Sequence, residues 1–216
     1  MRRAGKALAA GMRAAINCVE PGMLETEVLA EAEYAMTKAG SMGSPFRMQV
    51  LTHSRQLNLH PYASRTPIEG NAPVVIHLGA SCEGYTAKMC RTVFLGTPNP
   101  ESMRIYEVLK ETQRITAEML RPGVTCGELY DAAAACIADH GFEKNWVMEH
   151  IGYGVGIRQS EFYPIIAKDS KTVLQENMVV DLLLPTIYIP GIGGPRITDT
   201  IWIKQNGVEF LSDFPA

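Results

Sequence analysis

Two polar residues set in apolar strand-like runs carry the first chemical signal: His77 in PVVIHLGA and Lys88 in YTAKMCRTVFLG. A mid-strand lysine in a buried sheet needs a partner or a task, because its ammonium loses water that something must replace. The alternative is a snorkelling stem with its head in solvent. Cys90 lies two residues beyond Lys88, beside Arg91, so the period of two puts it on the lysine's face. A thiol near cations can be activated, whereas a buried one is inert, and both readings stand. Tyr153 sits between glycines in GYGVGI and could donate a phenolic hydrogen bond, with His150 three residues upstream. The five cysteines are scattered and form no CxxC pair, which excludes a zinc knuckle and a disulfide framework.

The hairpin that would carry His77 and Lys88 reads as strands over 73–80 and 85–96 joined by the turn SCEG. Helices are expected over 3–18, ended by Pro21-Gly22, and over 25–39, closed by Gly40. Residues 40–72 read as loop with a short strand near 48–52. A long helix over 100–120 starts after Pro98, Pro122-Gly123 ends it, and a further helix spans 126–139. From about 146 the chain is strand-rich, with strands at 178–184, 197–203 and 208–211. One internal echo links the halves: EPGMLETEVLAEAEYAM and RPGVTCGELYDAAAACI both run Pro-Gly and then into an apolar-periodic helix. Thr125 and Glu128 form a T-x-x-E capping box in the second copy, where the first has Leu24. Pro-Gly before a helix recurs by chance; read as duplication, it implies two related lobes with a site between them.

The chain has 216 residues, enough for one large domain or two small lobes. With 46% hydrophobic and 20% charged residues it has ordinary globular composition, which excludes disorder, collagen and coiled coil for the whole chain. The net charge of −3 comes without a basic run, so a nucleic-acid partner is not expected. No apolar stretch is long enough for a membrane span. MRRAGKALAAGMRAAINCVE superficially resembles a targeting segment, but Arg13 and Asn17 interrupt it and its apolar positions keep helical spacing. A reducing cytoplasmic setting is expected.

Taken in order, the motifs resemble the pita-bread fold of the methionine aminopeptidase, prolidase and creatinase superfamily. MRRAGKALAAG is similar to that family's opening helix, and VEPGMLETEV to its Pro-Gly-x-x-Glu start. NLHPYASR matches the segment with a substrate-side histidine, here His60. VVIHLGASCEGYTAKMCRTVFLG matches I-D-x-G-x-x-x-x-G-Y-x-x-D-x-x-R-T-x-x-x-G, GYGVGI matches Gly-His-Gly-x-Gly, and MVVDLLLPTIYIPGIGGPRITDTIWI matches the closing Glu-Pro and Gly-Gly-x-Arg-x-Glu-Asp strands. The resemblance implies an α+β fold with two pseudo-symmetric lobes around a central cleft. It implies a single domain over 1–216, no separate N-terminal domain, and a homodimer.

The superfamily's usual chemistry uses two divalent metals held by two Asp, one His and two Glu. This chain has His77, Lys88, Tyr153, Leu184 and Thr198 at those positions. An ammonium repels a dication and leucine has no lone pair, so the resemblance predicts neither a metal site nor another cofactor. The expected function is then a metal-independent, creatinase-like enzyme that cleaves a C–N bond of a small polar nitrogen compound by acid/base catalysis. By resemblance, His60 shuttles the proton, His77 and Lys88 replace the metal charge, and Tyr153 and Glu161 orient water or substrate. Glu161 matches the acid of a His-Glu-x-x-Pro element whose histidine is here Ser160. Ser160, His150, Arg196 and Tyr85 complete the expected substrate-binding set. The alternatives are a cofactor-free lyase, cyclase or isomerase of a specialised biosynthetic pathway, and a non-catalytic module that binds peptide or protein.

Overall fold

Helix α1 (Arg2–Cys18) places Ala4, Ala7, Leu8, Met12 and Ala15 on one buried stripe at spacings of three and four. In this computed structural model, which describes residues 1–58, 61–146, 149–182, 187–212 and 214–215, that stripe packs on α2 (Glu25–Lys38) and on a long hairpin. The hairpin consists of β2 (Pro73–Cys82) and β3 (Tyr85–Phe94), with β1 (Gln49–Leu51) along its outer side. Glu83 and Gly84 turn it with φ of 50° and 81°, the paired left-handed conformation that suits the strands' twist. Ile76, Leu78, Ala87 and Met89 face the two helices and complete the first core.

The second lobe repeats the plan. Helices α3 (Pro100–Met119) and α4 (Cys126–Asp139) pack on β4 (His150–Gly154), β5 (Ile165–Ala167), β6 (Val179–Leu182) and β7 (Thr198–Lys204). The terminal β8 (Gly207–Phe210) pairs with β7. One antiparallel sheet runs through both lobes in the order β1-β2-β3-β7-β6-β4-β5. The strands β4 and β5 resolve a segment that the sequence pattern marks only as strand-rich, because their short runs lack an apolar stretch. No helix among the described residues is long and apolar enough to cross a membrane.

The echo is structural. Gly22 and Gly123 have φ of 93° and 94°, and their amides donate to Ile68 O and Leu174 O respectively. Leu24 and Thr125 then form equivalent isolated bridges, to Pro67 and Val173. At the first helix Glu27 accepts from Leu24 N at 2.8 Å, and at the second Glu128 accepts from Thr125 N at 2.8 Å. Leucine offers no side-chain acceptor, so only the glutamate half of the capping arrangement exists at α2.

Candidate active site

Lys88 lies between Ala87 and Met89, whose side chains face α1 and α2, so alternation sends it to the opposite side of the sheet. It does not snorkel: it is 1% exposed. Its Nζ lies 2.7 Å from Asp181 Oδ2 and donates to Tyr153 Oη at 2.7 Å. The ammonium also stands 4.3 Å from the Tyr153 ring centroid and 5.6 Å from that of Phe46.

Asp181 is the residue that sequence reasoning missed. It sits between Val180 and Leu182, both turned into the helix-side core, and is therefore aimed at the lysine's face. The register aligns Tyr153, Asp181 and Thr200 across β4, β6 and β7. The Thr200 hydroxyl donates to Asp181 Oδ1 at 2.5 Å and accepts from Lys88 N at 2.8 Å. Burial pushes the Asp181 carboxyl above the usual carboxylate range, and Lys88 and Thr200 oppose that shift. An acid inside the apolar run MVVDLLL was the available signal, since such a residue needs a buried partner.

Phe46 roofs this cluster. A Cβ at Gly79, the cross-strand partner of Lys88, would come within 2.2 Å of the Phe46 ring, so only glycine lets the ring lie there. The same ring packs on His77 with centroids 4.8 Å apart. His77, Lys88, Asp181, Tyr153 and Thr200 thus line one face of the sheet, with Phe46 across its centre.

The other expected residues fall differently. His60 and Leu184 lie outside the described residues. His150 is half-buried 5.9 Å from the Tyr153 ring, and burial lowers its imidazole pKa. Tyr85 shares strand parity with Ala87 and Met89 and stands half-exposed at the hairpin tip, so alternation separates it from the lysine cluster. Glu161 is exposed, and its carboxylate accepts the Arg158 amide at 2.8 Å as a loop brace. Arg196 is held by Gln49 Oε1, Gln56 O, Asn58 O and Tyr188 Oη at 2.6–3.0 Å, which fastens β1 and the loop after it to the segment leading into β7. Cys90 packs with Leu51 and Val75, and burial pushes its thiol up to about 12, which removes the activated-thiol reading.

Ser160 lines a cavity of about 550 Å³ together with Met42, Ser81, Thr86, Ile157 and Phe162. Thr86 is two residues from Lys88 on the same strand, so the cavity adjoins the same face. A larger hollow of about 1070 Å³ lies on the helix side, against Arg104, Lys110 and Gln113 of α3 and the C-terminal Phe214 and Pro215, away from this chemistry.

The profile of metallopeptidase family M24 matches residues 1–205. A Xaa-Pro dipeptidase from Pyrococcus horikoshii is 38% identical over 199 residues, which is 92% of this chain and 56% of that protein. One from Lactobacillus delbrueckii is 31% identical, over 96% of this chain and 56% of the relative. The prolidase structure from Pyrococcus furiosus superposes with a TM-score of 0.94 at 34% identity, covering 100% of this chain and 63% of that one. The chain therefore spans little more than half the length of these relatives. The pita-bread architecture expected from the motifs stands.

The creatinase-like reading does not. The relatives are Xaa-Pro dipeptidases and the matched family is one of metallopeptidases, which overturns the expected metal-independent cleavage of a small polar nitrogen compound. That reading took lineage from five ligand positions, whereas similarity to dipeptidases is spread over nearly the whole chain. The donor chemistry is a separate matter. At the described positions where the resemblance would place ligands the chain offers an imidazole, an ammonium, a phenol and a hydroxyl, and the Asp181 carboxylate is already paired with the ammonium. This set does not fit a metal pair, which needs several anionic oxygens.

Proposed function

Because the chain belongs to metallopeptidase family M24, we propose that it forms the fold unit of a hydrolase for short peptides, with Xaa-Pro dipeptides as the substrate class. The observation that carries this is the similarity to Xaa-Pro dipeptidases, 38% identical over 92% of the chain, joined to the TM-score of 0.94 against a prolidase. The cavity beside the lysine face supports it. Its volume of about 550 Å³ falls within the range of small-ligand sites. Met42, Ile157 and Phe162 offer apolar surface for a prolyl ring, and Ser81 offers a hydroxyl for a peptide group.

The test is proline release from a panel of Xaa-Pro dipeptides by the full-length protein, with and without added Mn²⁺ or Co²⁺, alongside calorimetric titration with the same peptides. Release in either arm is the expected outcome. Saturable binding without release would remove the hydrolase and keep the substrate class, and absence of both would remove the whole reading.

A further inference from the structure

We propose that Lys88 is a fixed internal cation, clamped by Asp181 and Tyr153 beneath Phe46, and that this cluster keeps divalent metal ions off the sheet face where the family would carry them. The claim is independent of whether peptides are cleaved, because it concerns which charge the face already holds.

Three observations converge. First, the ammonium is inaccessible and doubly engaged, 2.7 Å from Asp181 Oδ2 and 2.7 Å from Tyr153 Oη. A dication entering here would face a like charge at short range in a medium of low polarity. Second, the Asp181 carboxylate is committed on both sides, to Lys88 and to the Thr200 hydroxyl. A metal would have to break a buried ion pair to recruit it, leaving the ammonium without its counter-charge. Third, the space above is occupied. Phe46 lies over Gly79 and packs its ring against the His77 imidazole, so an aromatic side chain fills the space beside both. Tyr153 and Thr198 are neutral hydroxyl groups and add no charge to attract a dication.

Chelator-treated full-length protein is titrated with Co²⁺ and followed by its visible absorption. Among the described residues, one other group of ligand-type side chains must be silenced first. Glu111, Cys136 and His140 on the outer helices hold their ligand atoms within 4.8 Å of one another, so every sample carries His140→Ala. In that background no stoichiometric Co²⁺ band is expected. Lys88→Asp replaces the ammonium with a carboxylate beside Asp181 and is expected to raise Co²⁺ affinity about tenfold or more, an increase that His77→Ala then lowers. One or two equivalents of Co²⁺ bound by the Lys88 protein, with a band that His77→Ala removes, would overturn the proposal. So would a folded Lys88→Asp protein with unchanged affinity. If Lys88→Asp does not fold, the titration of the Lys88 protein alone decides.

Discussion

Cys90 and Lys88 share a strand and a face, yet they have opposite fates. Cys90 faces Leu51 and Val75, and its thiol is pushed up to about 12 by burial although Arg91 and Arg196 pull it down. Lys88, equally buried, is stabilised because Asp181 comes to it from β6. The difference is invisible in YTAKMCRTVFLG, since it depends on what the neighbouring strands bring over each position. It predicts a simple thiol-labelling pattern. Cys18 is half-buried and the other four cysteines are buried. Titration of the native protein with a chromogenic disulfide should modify one thiol rapidly and the remaining four only with unfolding. Rapid native labelling of Cys90, located by peptide mass, would contradict the burial argument.

Helices α2 and α4 begin in the same way because the Pro-Gly turn, the glutamate in the first turn and the strand-like segment opposite all recur. Their first residues then diverge. Cys126 begins α4, whereas Glu25 begins α2 and is fully buried. Glu25 accepts from Thr52 N and Ser64 N at 2.9 Å each and pairs with Arg55. A single carboxylate thus gathers the two loops that flank the segment bearing His60. Glu25→Ala removes the charge partner of Arg55 and leaves two amides without acceptors. Breaking a buried pair of this kind costs about 3–5 kcal/mol, so the urea midpoint should fall accordingly. A change within ordinary surface-mutation scatter, about 0.5 kcal/mol, would show that the loops do not depend on it. The helices and the hairpin were legible from spacing and turn residues. The Glu25 anchor was not, because a glutamate in a first helical turn ordinarily reads as a dipole-complementing surface residue.

The two lobes have separate helix-side cores, and the sheet joins them where β3 meets β7 through the pairs Met89↔Asp199 and Cys90↔Thr198. Arg91 reinforces that seam. Its guanidinium donates to Asp199 Oδ1 at 2.9 Å, to Thr198 O at 3.0 Å and to Phe214 O at 2.7 Å, and Gln113 Nε2 donates to Asp199 Oδ2 at 2.9 Å. One buried ion pair therefore ties β3, β7, α3 and the C-terminal segment. Arg91→Leu leaves Asp199 uncompensated, and a loss of about 3–5 kcal/mol is expected in equilibrium urea unfolding. An unchanged midpoint would mean that the seam holds through strand pairing alone. The lysine cluster sits beside this seam, with Lys88 from one lobe and Asp181, Tyr153 and Thr200 from the other.

From the sequence came the helices, the hairpin and the recurring Pro-Gly helix starts, because glycines, prolines and apolar periods act locally and leave spaced marks in the chain; the pita-bread architecture and the five substituted positions came from the resemblance to a known family. The creatinase-like function drawn from those five positions was wrong, since a handful of site residues carries less about descent than similarity along 92% of the chain. Only the tertiary structure supplied Asp181 as the partner of Lys88, Phe46 as the roof over Gly79 and His77, and Arg196 as a loop clamp. Each is a contact between segments far apart in the chain. Such contacts are decided by strand order, register and face, none of which a single strand's residue pattern encodes.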